Sequence, residues 1–122
     1  MRELLIAVID DDESFRMALV ECLGSLGYGA RGFASAEEFI AWEADASYDC
    51  VITDIHMPGM SGLDLARLLT GRPRGVPAVV LVTARSDLGI DAQAAAKGAI
   101  CLLRKPFKTE ALIDCLEKAL KA

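Results

Sequence analysis

Short aliphatic runs, each stopping at a polar residue, alternate along this chain with amphipathic stretches, and that rhythm restricts the fold more than any other feature. The first run, Leu4-Leu5-Ile6-Ala7-Val8-Ile9, is an uninterrupted apolar hexamer that ends abruptly at Asp10. A strand without polar alternation must be buried on both faces, as in a parallel sheet covered by helices. From Ser14 the period changes. Phe15, Leu19, Cys22, Leu23 and Leu26 recur at three- and four-residue steps, and Gly27 stands where a helix commonly ends in the left-handed conformation. Residues 28–33 read as a weak, glycine-broken strand. Ser35 and Glu38 then have the spacing of a capping box ahead of Phe39, Ile40 and Trp42, which predicts a short second helix with Trp42 packed.

The pattern repeats. Cys50-Val51-Ile52-Thr53 ends at Asp54, and a loop over residues 55–62 leads into a helix bearing Leu63, Leu65, Ala66, Leu68 and Leu69. A Gly- and Pro-rich break precedes Ala78-Val79-Val80-Leu81-Val82, a strand ending at Thr83. Ile90 to Lys97 is alanine-rich and helical by propensity. Ala99 to Leu103 reads as a fifth strand before Arg104-Lys105-Pro106, and Thr109 caps a last helix carrying Leu112, Ile113, Leu116 and Leu120. Five strand-then-helix units predict an α/β, doubly wound, five-stranded parallel sheet with five helices. In such sheets ligands gather beyond the carboxyl ends of the strands.

The chain's 122 residues suit one domain, residues 1–122. Its 18 acidic and 13 basic side chains leave a charge of -5, which works against holding the phosphate backbone of nucleic acid. Four cysteines without a CxxC pair, and a single histidine, do not make a usual zinc site. They read as buried thiols in a reducing cytoplasm. The start of the chain has the form of neither a signal peptide nor a membrane span.

The strand ends carry the chemistry. Asp10 and Asp11 follow the first strand, Asp54 the third, Thr83 the fourth and Lys105 the fifth, so one edge of the sheet collects them. Two carboxylates about 5 Å apart repel by roughly 3 kcal/mol at an effective dielectric near 20, so three of them call for cations. Lys105 supplies one charge. Carboxylate and carbonyl oxygens with water are the preferred shell of magnesium, an ion suited to phosphoryl chemistry. Asp54 is then a candidate nucleophile of the aspartyl-phosphate kind, with Asp10 and Asp11 on the metal, Thr83 as hydroxyl donor and Lys105 opposite the phosphoryl charge. Asp12 and Glu13, by contrast, fit the start of a helix.

Asp10-Asp11, the run from Asp54 through Ile55-His56-Met57-Pro58-Gly59-Met60-Ser61-Gly62-Leu63, Thr83-Ala84 and Lys105-Pro106-Phe107 together resemble the receiver domain of two-component response regulators, a CheY-like superfamily. The resemblance covers essentially the whole chain, and residues 57–65 with Lys105-Pro106-Phe107 are similar to receivers of the FixJ type, which are joined to DNA-binding effectors. It implies a flavodoxin-like fold with strand order 2-1-3-4-5. It implies phosphorylation of Asp54 by a sensor histidine kinase or a histidine phosphotransfer protein. Magnesium, with manganese as a substitute, is implied at Asp11, Asp54 and the backbone carbonyl of His56, with Asp10 tuning the site or reaching the metal through water. Thr83, Ala84 and Lys105 are implied to bind the phosphoryl group, and Pro106 to follow a cis peptide bond. The side chains of His56 and Arg85 are expected at the mouth of the site, where they would set how fast water reaches the acyl phosphate. A changed face formed by the fourth helix, fifth strand and fifth helix is the implied output, with homodimerisation through it as a consequence.

One departure stands out: Leu102 occupies the position where the family often has a switch aromatic. Aliphatic repacking is expected in its place. Two other functions compete with the receiver reading. A phosphorylation-independent interaction module would share the fold without using the acids. A phosphohydrolase of the haloacid dehalogenase type would make Asp10 the nucleophile and Asp12 the acid, but leaves residues 54–62 without a role.

Overall fold

The structure, a computed structural model, describes residues 4–72, 77–83 and 98–120. The elements run β1 (Leu5–Ile9), α1 (Glu13–Ser25), β2 (Gly29–Phe33), α2 (Ala36–Trp42), a 3-10 turn (Glu43–Asp45), β3 (Cys50–Asp54), α3 (Gly62–Thr70), β4 (Ala78–Thr83), β5 (Cys101–Arg104) and α4 (Thr109–Leu120). All strand pairs are parallel, in the order β2-β1-β3-β4-β5. This is the expected flavodoxin-like sheet. Four α-helices lie among the described residues, and the helix expected over Ile90 to Lys97 falls outside them.

Strand alternation divides the core in two. Ala7, Ile9, Val51, Val79 and Leu81 face one way, against Phe39 of α2 and Leu65 and Leu69 of α3. Ile6, Val8, Cys50, Ile52, Val80 and Val82 face the other way, against Leu19 and Leu23 of α1 and Leu112 and Leu116 of α4. The three central strands therefore have no solvent face, which is why their sequences carry no polar alternation. The edge strands read weakly for the same reason in reverse, since Arg31 and Gly32 of β2 and Arg104 of β5 are exposed.

The first three helix starts follow the sequence, but Thr109 is the first residue of α4 and not its cap: the Lys108 carbonyl accepts from the Ala111 and Leu112 amides. Asp12 caps α1 by accepting from the Phe15 amide at 3.2 Å, and Ser35 caps α2 by accepting from Glu38 at 3.0 Å. Ser61 and Asp64 form a reciprocal capping box on α3.

Two expectations are corrected. Trp42 does not pack: it ends a seven-residue helix and is 59% exposed. Cys101 and Cys115 are not separate thiols but a disulfide between β5 and α4, whereas Cys22 and Cys50 are free. The pair lies 14 residues apart and is joined only through the packing of α4 on the sheet, so no short motif announces it.

Candidate functional site

Asp10 is held through its backbone as well as its carboxylate. Its amide donates to the Phe33 carbonyl at 3.1 Å, and its carbonyl accepts from Arg16 Nη1 at 2.7 Å. Its Oδ1 accepts from the Asp12 amide at 2.9 Å. Oδ2 faces Lys105, whose Nζ donates at 2.8 Å. Asp10 is 1% exposed, so this carboxylate is ion-paired as well as buried.

Lys105 reaches the site from β5. Its amide donates to the carbonyl of Thr83, the last residue of β4, at 2.7 Å, which carries the ladder one residue past the end of β5. The Lys105–Pro106 peptide is cis, as the resemblance implied. Nζ lies 3.8 Å from Asp54 Oδ2 and 3.9 Å over the ring of Phe15, which meets Phe107 edge-on at 6.0 Å. Phe15 thus forms an aromatic wall for the ammonium. Reading by period assigned it only to the helix face.

Asp54 ends β3, and the chain turns sharply after it. The Gly62 amide donates back to the Ile55 carbonyl at 3.0 Å, bringing the start of α3 against the Asp54 backbone. A Cβ on Gly62 would sit 2.9 Å from the Asp54 carbonyl carbon and the Ile55 Cα, so only glycine allows this approach. Burial, first, and the nearby Asp10, second, push the Asp54 carboxyl above its ordinary value. Lys105 and the His56 N–H, which donates to the carboxylate, pull it down, and Asp11 adds a smaller upward push. His56 itself is exposed.

The loop has a second anchor. Glu37, in the first turn of α2, accepts from the Met60 amide at 2.9 Å, and this bond holds its carboxyl below the usual range. Glu37 has no sequence signal beyond its place in a helix start, because its partner lies 23 residues away.

Oxygen atoms of Asp10, Asp11 and Asp54 all lie within 4.8 Å of one another. With Lys105 beside them, three carboxylates and one ammonium leave two uncompensated negative charges, and the available donors are hard oxygens. That set fits a divalent cation of the magnesium class. Thr83 ends β4 fully buried in the same corner of the sheet. Ala84 and Arg85 lie outside the described residues. Leu102 pairs in register with Leu81 and packs against the core on the α2–α3 side, so the position often held by an aromatic is filled by aliphatic contact.

Comparison with known proteins settles the family. Residues 6–117 match the response regulator receiver domain. The chain belongs to that family. This receiver is 34% identical over 115 residues to the transcriptional regulatory protein TdiR of Thauera aromatica, covering 94% of the chain and 50% of TdiR. It is 31% identical over 119 residues to the transcriptional regulatory protein FixJ of Rhizobium meliloti, covering 98% of the chain and 58% of FixJ. The chain therefore spans about half the length of these curated relatives. Among solved structures, the chemotaxis protein CheY4 of Vibrio cholerae superposes with a TM-score of 0.88 at 25% identity, covering 98% of the receiver and 100% of that chain.

The receiver assignment disfavours the hydrolase reading, and so does Asp12, whose carboxylate caps α1 at the surface. No helix among the described residues is long and apolar enough to cross a membrane.

Proposed function

We propose that the whole chain, residues 1–122, is one phosphoacceptor receiver unit of a two-component system, and that Asp54 takes the phosphoryl group. The observation that carries this reading is the convergence of Asp10, Asp11 and Asp54 on one point with Lys105 against two of them. The donor is a phosphohistidine on a sensor histidine kinase or a histidine phosphotransfer protein. An Asp54 carboxylate oxygen attacks phosphorus in line, the phosphorus–nitrogen bond breaks, and its electron pair leaves with the donor imidazole. Asp11, Asp54 and the His56 carbonyl hold magnesium, or manganese in its place, with Asp10 behind them. The ion supplies charge neutralisation at the phosphoryl oxygens.

The chain's own groups do the rest. Lys105 moves from its bond with Asp10 to pair with a phosphoryl oxygen, the Thr83 hydroxyl donates to another, and the Ala84 N–H completes the cradle. Conversion of Asp54 from a single negative charge to about -2 supplies the force for this shift. Around Leu102 the response passes through aliphatic repacking to the face of β5 and α4, where a second copy can dock. This unit works in the cytoplasm and does not itself hold nucleic acid, and output falls to an effector of the kind that transcriptional regulators such as TdiR and FixJ suggest.

Amide NMR during titration with beryllium fluoride and magnesium tests the cradle. Saturable shifts at Asp54, Thr83, Ala84 and Lys105 are expected, and saturation without shifts at these amides contradicts it. His56→Ala and Arg85→Ala are each expected to change the rate of acyl-phosphate hydrolysis by about 2- to 10-fold through access of water. Rates equal to wild type would remove them from the mouth of the site.

A further inference from the structure

Away from the acidic site, two of the four cysteines meet. Cys101 opens the edge strand β5 and is half-buried, and Cys115 lies on the inward side of α4 at 3% exposure. Their Cα atoms are 5.9 Å apart, within the span a disulfide bridges, and their sulfurs are bonded. The other two cysteines are placed differently. Cys50 sits fully buried in β3, where burial, reinforced by the charge of Asp49, pushes its thiol up to about 12. Cys22 lies half-buried on α1, and both are free.

We propose that Cys101 and Cys115 form a reversible redox modification site, closed by exchange with a low-molecular-weight disulfide of the oxidised glutathione class. The more accessible thiol reacts first. The Cys101 thiolate, its proton lost to solvent, attacks one sulfur of oxidised glutathione and releases one glutathione thiolate. Cys115, deprotonated in turn, attacks Cys101 Sγ in the mixed disulfide and releases the second. Two protein thiols are oxidised and one glutathione disulfide is reduced to two thiols.

The location gives the bond a consequence. Among the described residues β5 pairs only with β4, at the edge of the sheet, and α4 packs across it, so the bond joins an edge strand to the helix that covers it. The bond closes a loop that contains Leu102, Lys105 and Phe107, the segment that brings the ammonium to the carboxylates. Oxidation ties down that segment, and reduction frees the end of β5 to move against α4. None of this depends on Asp54 being a phosphoacceptor.

The full chain, equilibrated over a series of reduced-to-oxidised glutathione ratios, quenched by alkylation and weighed intact, gives the test. An oxidised form with two fewer alkylated thiols than the reduced protein is expected, and dithiothreitol should reverse it. Cys22→Ser should retain this form, whereas Cys101→Ser and Cys115→Ala, each checked for folding by circular dichroism, should lose it. The closed loop should raise Tm by about 10 °C and slow amide exchange across residues 101–115. Four alkylated thiols at every ratio, a mixed glutathione disulfide as the end product, or the same two-thiol loss in folded Cys115→Ala would each overturn the proposal.

Discussion

Asp54 carries a tension that its neighbours only partly relieve. Because burial and Asp10 raise its carboxyl pKa on folding, the folded chain binds this proton more readily than the unfolded chain. Its contribution to stability is therefore present below the unfolded value of 3.8 and is lost as pH rises through the folded value. At neutral pH without a divalent ion, Asp54→Asn is expected to raise Tm by about 4 °C, equivalent to roughly 1 kcal/mol. Calorimetry should show the gain shrinking as pH falls toward that unfolded value. Lys105 offsets part of the charge, chiefly at Asp10, its 2.8 Å partner. Lys105→Met is expected to cost about 3 kcal/mol by leaving a buried carboxylate unpaired. The same substitution made on Asp10→Asn should cost well under half of that in chemical denaturation. Equal costs in both backgrounds would move the main interaction elsewhere. Asp10, Asp54, Thr83 and Lys105 were legible in sequence because each stands at or just beyond the end of an apolar run. Phe15 was not, because the ammonium that gives its ring a second role lies on a strand end far along the chain.

Elements were legible where burial is uniform and less so at the margins. The central strands announced themselves through continuous apolar runs, and the cap at Ser35 through a side chain that answers an unsatisfied amide, whereas the Ser61 cap lay inside a run read only as a loop. The ends of β2 and β5 shifted by a residue or two because edge strands are only half covered. The tie from α2 to the loop after β3, made by Glu37 and Met60, joins elements that no local pattern connects. Gly62 belongs to this scale, since it decides how closely α3 approaches β3. Gly62→Ala should cost about 2 kcal/mol or more, because the added methyl meets backbone that cannot rotate aside. It should also slow any reaction at Asp54 by displacing the carbonyl beside it. A variant with wild-type stability by urea denaturation would show that the turn after β3 can open without loss.

At the level of the whole molecule, the doubly wound sheet puts five strand ends on one edge, and the chain's excess of acids becomes a local feature there. A charge of -5 spread evenly would speak only of solubility. Three carboxylates within 4.8 Å instead describe a place where a divalent ion suits the charge balance. Leu102 gives the molecule its other distinguishing trait, an aliphatic contact where a moving ring would act, and amide exchange over residues 98–108 should slow when a phosphate mimic binds. The central claim is the identity of the acceptor. Intact-mass measurement after incubation with acetyl phosphate and magnesium, on wild type and on Asp54→Ala, tests it most directly. One phosphoryl adduct on wild type, not formed when a chelator is present from the start and absent from the folded variant, is the predicted result; an equal adduct on Asp54→Ala, or none on wild type, would contradict it.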